Sequence, residues 1–259
     1  MAFSICVEFS VYGALQKLMY CVPAPLNAAL GNFESYEVKL ESSNKFVPVR
    51  VQHYHDYLQR GLPGKVFIKY RRAYIRNICY SLQYMEYLKK TLHEIPYPLV
   101  ENQLTKTFII TGCSAIESIL WMLLKGNNIN RKMQWLELQR RETNRFVDEG
   151  KEFKFEVAHY RKLDEPADVE MKFIDMCKVA EKSKVLGVNS DVYAKLNRLR
   201  KLRNRIHIHA VQHDRDNDFW VFSAEDLALM ESVLAAVLKS TIFEPHPNYD
   251  NVFYWLDQA

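Results

Sequence analysis

Two long segments with the hydrophobic period of an α-helix constrain the fold of this chain most strongly. In residues 66–94, large apolar side chains recur every three or four positions, and the pattern stops just before "IPYP". In residues 101–125 the same period continues until Gly126 and the two asparagines after it. This spacing places apolar side chains on one helix face, which requires burial against another element. The two segments therefore predict a bundle built on two long helices.

Further segments with a helical pattern follow toward the C-terminus. They cover residues 130–147, 167–184, 190–211 and 223–240. The stretch "DRDNDFWVF" between the last two has the composition of a turn followed by a short strand. We therefore expect a mainly α protein whose helices form one bundle.

The N-terminal region has a different period. Residues 3–12 alternate strictly between apolar and polar side chains, which predicts a half-buried strand. "SYEVKL" and "FVPVRVQHY" alternate on either side of "ESSNK", so residues 35–54 predict a hairpin, with Pro48 at an edge or a bulge. We expect a small β-rich subdomain over residues 1–62 and a helical domain over residues 63–259, which makes the chain α+β overall.

Composition and charge limit the classes of protein that need consideration. The chain has 259 residues, 48% hydrophobic and 25% charged, as in an ordinary globular protein. Its net charge of +4 permits a polyanionic partner without requiring one. The five cysteines are widely spaced and include no CxxC pair, which favours neither a disulfide framework nor a thiolate zinc site.

The sequence also predicts where the protein is found. The apolar N-terminal run is interrupted by Glu8 and Lys17, which is not typical of a signal peptide. The longest apolar stretches, such as "ESILWMLL", are shorter than the roughly 20 residues of a membrane span. We expect a soluble cytoplasmic protein with no membrane partner.

The stretch "LRKLRNRIHIHA", residues 199–210, carries the strongest indication of chemistry. Six positively charged residues lie between Lys195 and Arg205, and two histidines follow them. On a helical wheel Arg203 and His207 share one flank of an apolar seam, and His209 lies on the other flank. Guanidinium offers paired donors to phosphate oxygens and imidazole exchanges protons near neutral pH, so this pairing suits metal-independent cleavage of RNA. A solvated basic face with a packed histidine is the structural alternative.

These residues resemble the signature helix of the HEPN superfamily, whose RNA-cleaving members share an Arg-x4-6-His motif. Arg203, Asn204 and His209 match it with five residues between arginine and histidine, whereas His207, with three, falls outside the strict spacing. "TGCSAIESILWMLL" resembles the earlier core helix of these domains, and "KFIDMCKVAEKSKVLGV" resembles the segment that leads into the signature helix. The general pattern covers residues 66–240. Which histidine acts is left open.

The resemblance implies a HEPN-like helical bundle that works as a metal-independent endoribonuclease without a cofactor. Histidine would be the general acid or base, arginine would stabilise the pentavalent phosphate, and the products would carry a 2′,3′-cyclic phosphate or a 3′-phosphate. It also implies a homodimer, and a role in toxin–antitoxin systems or abortive infection with an antitoxin or regulatory partner protein. Glu117, a carboxylate among apolar neighbours in "SAIESIL", is expected to orient a motif side chain, with a solvent-facing position or a structural salt bridge as the alternative. Three basic residues of the motif helix are expected to contact RNA: Arg200, Lys201 and Arg205.

Other readings of the sequence compete with this one. A non-catalytic HEPN module that binds RNA, a nucleotide or a partner protein would explain the same motif, and a helical interaction protein without any ligand is a third alternative. His209 and His213 have the i, i+4 spacing of metal ligands, with Asp214 nearby, but no glutamate lies between them as in a metalloprotease helix. His53 and His55 share one side of a predicted strand but lack a third clustered ligand.

Two further signatures are weaker still. The acidic residues from Asp214 to Glu225 match a calcium loop, except that Phe219 replaces the required glycine, so a turn before a helix capped near Ser223 fits better. The sequence contains no glycine-rich phosphate loop and no GxSxG motif, so the chemistry, if any, belongs to side chains.

Overall fold

The computed structural model describes residues 4–11, 14–21, 46–62, 70–95, 97–142, 145–206, 217–245 and 248–256. By their contacts the residues separate into two units, Met1–Val47 and Pro48–Ala259. In the first unit, strand β1 (Ser4–Val11) pairs antiparallel with β2 (Ala14–Cys21), from Ser4 opposite Cys21 to Val11 opposite Ala14. The strand predicted over residues 3–12 is confirmed, whereas its partner was not anticipated. The first part of the hairpin predicted over 35–54 lies outside the described residues.

The second unit is mostly helical, as the sequence predicts. Its central element is the longest helix of the described residues, which contacts five others in the bundle and buries Ile116, Ile119 and Leu120 completely. The helices are α1 (Val51–Gly61), α2 (Arg71–Glu94), α3 (Pro98–Gly126), α4 (Phe173–Ser183), α5 (Ser190–Arg203), α6 (Asp218–Val221), α7 (Ala224–Leu238) and α8 (Tyr249–Val252). Short 3-10 turns cover Asn204–Ile206 and Thr241–Phe243.

The starts of the long helices agree with capping and proline signals in the sequence. Pro98 occupies the first turn of α3, where its missing N–H costs no helical hydrogen bond. The backbone N–H of Asp226 donates to the side chain of Ser223 at the start of α7, which confirms the predicted serine cap. Helix α2 follows the predicted period from Arg71 onward, and the residues from 63 to 69 are outside the described part of the chain.

A β-ribbon replaces the helix predicted over residues 130–147. Strand β3 (Lys132–Glu142) pairs antiparallel with β6 (Glu156–Asp168), and β4 (Phe146–Asp148) pairs with β5 (Lys151–Phe153) near the turn. The helix prediction was wrong because strand β6 supplies the hydrogen-bonding partner, with Arg140 bound to Glu156 across the strands at 2.8 Å. Most side chains of this ribbon, residues 132–168, are exposed on both faces.

Two strand predictions elsewhere are also corrected. Residues Val51–Tyr54, expected at the end of a hairpin, begin helix α1, because Tyr54, Tyr57, Leu58 and Gly61 have helical spacing and are buried together. His53 and His55 are therefore two positions apart on a helix and do not share one face. The "FWVF" strand is wrong as well, since Asp218–Val221 is a helical turn.

The position of α1 also bears on the boundary between the two units. Helix α1 packs against α2, so contacts divide the chain after Val47, earlier than the residue 62 expected from the sequence.

The start of α1 is fixed by a buried carboxylate on α2. Glu86 is 1% exposed and accepts hydrogen bonds from the backbone N–H of Val49 and from the hydroxyls of Tyr54 and Tyr254, at 2.8–3.1 Å. The indole N–H of Trp255 donates to the Tyr54 hydroxyl at 3.0 Å. Burial, reinforced by the nearby Glu86 charge, raises the pKa of Tyr54 far above its ordinary value, so Tyr54 remains a donor.

Helix α3 is the one helix of the described residues that is long and apolar enough to cross a membrane. Its most apolar 18-residue window has a mean hydropathy of 1.7, but 61% of that window is buried inside the unit. The central helix of a bundle meets the same criterion, so this is weak evidence for a span.

Candidate functional site

Helices α3 and α5 bring Glu117 and Arg203 into contact. The Nη2 atom of Arg203 donates to Oε2 of Glu117 at 2.9 Å, and both side chains are partly buried, with 33% and 24% of their surface exposed. Helix α5 is fixed in this position by Leu196 and Leu199, which are completely buried on the predicted apolar seam. Arg203 is the last residue of that helix, so its side chain lies where the basic helix meets the central one.

The ion pair lies in an environment that disfavours charge on the carboxylate. Burial raises the pKa of Glu117 above its ordinary value of 4.5, and the positive charge of Arg203 opposes this increase only in part. This arrangement keeps the guanidinium positioned in the free protein and leaves it accessible to an anionic ligand.

The pair lies in the wall of a cavity of about 480 Å³, which we call the cationic cavity. Lys172, Arg200 and Arg203 contribute positive charge to its lining, and Asn204 contributes an amide. Glu117 and Glu170 contribute two carboxylates, so positive charge exceeds negative charge by one unit. A phosphodiester, with one negative charge, would compensate the excess.

A second cavity of about 490 Å³, which we call the aromatic cavity, adjoins the first. Glu117, Glu170 and Met171 line both. The aromatic cavity also has Tyr74 and Trp121 in its walls, with ring centroids 4.8 Å apart and planes inclined by 41°. One ligand extending past the shared residues would contact both cavities.

The structure brings four of the predicted site residues together: Arg200, Arg203, Asn204 and Glu117 all line the cationic cavity. Lys201 is exposed on α5 outside that lining. Arg205 lies near Asp218. Burial raises the pKa of Asp218, but hydrogen bonds from Lys106 and Gln103, together with nearby positive charge that includes Arg205, outweigh this effect and lower the pKa.

The two candidate histidines, His207 and His209, lie outside the described residues. The wheel that placed His207 beside Arg203 assumed an α-helix through residue 211. Instead, α5 ends at Arg203 and Asn204–Ile206 form a 3-10 turn. Because a 3-10 turn has about three residues per turn rather than 3.6, the angle between Arg203 and either histidine no longer follows from the α-helical wheel.

Thiol and metal chemistry receive no support from the described surroundings of the pair. Burial raises the pKa of both Cys113 and Cys177 to about 12, against the charges of Arg203 and Arg200 respectively, so these thiols stay protonated. In the ranges given for the structure, no three His, Cys, Asp or Glu side chains cluster as metal ligands. His213 and Asp214 lie outside those ranges.

Sequence reasoning gave no site role to several residues of the two cavities, among them Glu170, Trp121 and Lys172. Trp121 follows Glu117 by one helical turn, so the spacing alone would have placed both on one face of α3. Tyr74 was assigned to the apolar face of α2, yet 38% of it is exposed. Lys172 immediately precedes α4 and carried no motif.

Comparison with protein-family models, with curated proteins and with solved structures gave no match. The resemblance to HEPN domains therefore depends on the motif residues and the helical pattern of the sequence.

Proposed function

We propose that this protein is a metal-independent endoribonuclease of the HEPN type, acting in the cytoplasm on an RNA substrate and needing no cofactor. The observation that carries the proposal is the Arg203–Glu117 ion pair at the wall of the cationic cavity. It supports the proposal because the motif arginine is partly exposed, oriented by a carboxylate, and surrounded by side chains suited to a phosphodiester.

In the proposed reaction, one N–H group of the Arg203 guanidinium stays bound to Glu117, and its other N–H groups donate to oxygens of the scissile phosphate. His209 or His207 removes the proton from the 2′-hydroxyl, whose oxygen forms a new bond to phosphorus. Arg203 stabilises the pentavalent phosphorus, the bond to the 5′-oxygen breaks, and that oxygen takes a proton from a general acid. The 5′ fragment then ends in a 2′,3′-cyclic phosphate, and the 3′ fragment begins with a free 5′-hydroxyl.

We also propose that the protein is a homodimer and that the ribbon pairs with the ribbon of a second copy. A two-stranded ribbon exposed on both faces is marginally stable alone. Trp135, Leu138, Val147 and Phe155 are each more than half exposed on it.

The charge of the ribbon favours a second copy over a polyanion as its partner. Residues 132–168 contain eight Lys and Arg against nine Asp and Glu, so the ribbon is almost neutral. An antiparallel edge can also pair with its own copy around a two-fold axis.

A role in toxin–antitoxin systems or in abortive infection is part of the same proposal. An RNase with a preformed site needs restraint in its host, and an antitoxin or another regulatory protein would supply it. Obstruction of the cationic cavity is the simplest way for such a protein to inhibit cleavage.

The alternative is a non-catalytic module that binds RNA, a nucleotide or a partner protein. The observation that favours it is the neutralisation of Arg203 by Glu117 in the free protein. An arginine positioned by such a pair can bind an anionic ligand without cleaving it. Strong RNA binding without any new RNA ends would support the alternative.

The experiment is cleavage of labelled RNA by the purified protein in EDTA. Arg203→Ala should abolish cleavage while circular dichroism shows an unchanged helical content. Lys195→Ala is the matched control, because Lys195 is an exposed cation of the same helix that pairs with Asp191. Undiminished cleavage by folded Arg203→Ala protein would exclude the proposal.

The two histidines are tested in the same assay. His207→Ala and His209→Ala are assayed separately, and the catalytic histidine is the one whose removal abolishes cleavage. If neither change lowered the rate, histidine catalysis by this motif would be excluded.

A further inference from the structure

The aromatic cavity has the chemistry of a nucleobase site. Tyr74 is 38% exposed and Trp121 is partly buried, and both rings line the cavity. Exposed aromatic surface beside an anion-binding group is the combination by which proteins bind single-stranded RNA, because bases stack on the rings while phosphates contact the cations.

The polar groups of this cavity are mainly acceptors. The hydroxyls of Ser114 and Ser118 donate to the backbone carbonyls of Ile110 and Ser114 at 2.9 Å, so their protons are used and their lone pairs remain. Glu170 adds an exposed carboxylate at the boundary with the cationic cavity. A ligand edge that fits these groups must present N–H donors.

Two donor side chains of the cavity already contact Asp168. The Nζ atom of Lys125 lies 3.5 Å from Asp168 and 5.0 Å from the centre of the Trp121 ring. The side-chain amide of Asn130 also donates to Asp168. The acceptor oxygens of Ser114, Ser118 and Glu170 therefore favour an incoming base with an amino group, and a base that offers chiefly acceptors would pair less well with them.

We propose that the aromatic cavity binds a nucleobase carrying an exocyclic amino group, from the nucleotide whose phosphate lies at Arg203. This inference rests on the proposed function, because it places the phosphate in the cationic cavity. Adenine and guanine bind most tightly, since a bicyclic ring covers more of the indole, and uracil, which lacks the amino group, binds least. The residues common to both cavities, Glu117, Glu170 and Met171, lie between base and phosphate.

The test uses nucleosides, which carry the base without the phosphate. Guanosine, adenosine, cytidine and uridine are titrated into the full-length protein by calorimetry. We expect guanosine and adenosine to bind at least about fivefold more tightly than uridine, and Tyr74→Leu and Trp121→Leu each to weaken their binding by about five- to 100-fold. Tyr84→Leu is the matched control, because Tyr84 is exposed on the same helix as Tyr74 and outside the cavity.

Cleavage of an RNA containing all four bases is measured on the same samples to separate the two proposals. Cleavage without base preference, together with equal or absent binding of the four nucleosides, would overturn the base cavity and leave the nuclease standing. Selective nucleoside binding lost in Tyr74→Leu, without cleavage or binding of RNA, would support the base cavity and reject the nuclease. If Trp121→Leu fails to fold, Tyr74→Leu alone decides the matter.

Discussion

The guanidinium of Arg203 and the carboxylate of Glu117 form a 2.9 Å ion pair between side chains that are 86 residues apart in the sequence. The pair joins the end of the basic helix α5 to the central helix α3. It therefore fixes the direction of the motif arginine before any ligand arrives, which is the preorganisation that stabilisation of a charged transition state requires.

Substitution of Glu117 should change the pH dependence of stability. Because the pKa of folded Glu117 lies above the ordinary 4.5, the folded protein binds this proton more tightly than the unfolded chain does. The corresponding stability is present below pH 4.5 and is lost as pH rises through the raised pKa. Glu117→Gln should therefore gain stability relative to wild type between pH 4 and pH 7, as measured by urea unfolding.

Glu101→Gln is the control for this measurement, since Glu101 is an exposed carboxylate on the same helix. A constant difference in unfolding free energy between Glu117→Gln and wild type across that pH range would contradict the account of the pair.

In the cleavage assay, Glu117→Gln should lower the rate without abolishing it, because Arg203 remains but is less well oriented.

Removal of the Glu86 carboxylate should destabilise the protein severely. Glu86→Ala leaves the Val49 N–H and two tyrosine hydroxyls without their buried acceptor, which costs about 3 kcal/mol or more. Glu94→Ala, which removes only an exposed pair with Lys90, should cost under about 1 kcal/mol. Equal unfolding midpoints in urea for the two variants would show that the Glu86 cluster contributes nothing.

Arg200 should contribute to RNA binding through charge alone. Arg200→Gln removes one cation from the cationic cavity, so the slope of log K against log salt should become less steep by about 0.7. Fluorescence anisotropy with a labelled single-stranded RNA measures the slope. Lys195→Gln, on the same helix but outside the cavity, should leave it closer to the wild-type value, and identical slopes for all three proteins would remove Arg200 from the interface.

Deletion of the ribbon should abolish self-association without unfolding the helical bundle. Lys132 and Asp168 are paired neighbours, so residues 133–167 can be replaced by a short Gly-Ser turn. We expect the wild-type protein to be a dimer and the deletion variant to be a monomer with a full helical spectrum, as determined by light scattering and circular dichroism. A deletion variant that remains a dimer would place the interface elsewhere.

The sequence predicted the long helices well because their apolar faces are buried throughout. Helices α2, α3 and α7 each bury one face in the core, and that burial requires the three-to-four spacing visible in the sequence. Strand β3 lacked such a signal, since both faces of the ribbon are exposed and its partners in β6 lie 14 to 36 residues further along the chain. Helix α1 was mistaken for a strand because valines at the preceding positions imitate alternation.

The site was predictable only in part for a similar reason. Arg203 could be identified because it belongs to a motif at the end of a basic helix. Glu117 could be identified because it is a carboxylate among apolar neighbours. The aromatic cavity was not recognised, because Trp121 in "SILWMLL" and Tyr74 in a helical pattern have the spacing of core residues. Only the packing of α2 against α3 shows that their rings line a cavity.

The chemistry of the new RNA ends tests the central claim most directly. RNA is incubated with the wild-type protein in EDTA, and the fragments are identified by mass spectrometry. We predict a 2′,3′-cyclic phosphate or a 3′-phosphate on one fragment and a 5′-hydroxyl on the other. Intact RNA, or fragments that carry a 3′-hydroxyl and a 5′-phosphate, would contradict attack by the 2′-hydroxyl at Arg203.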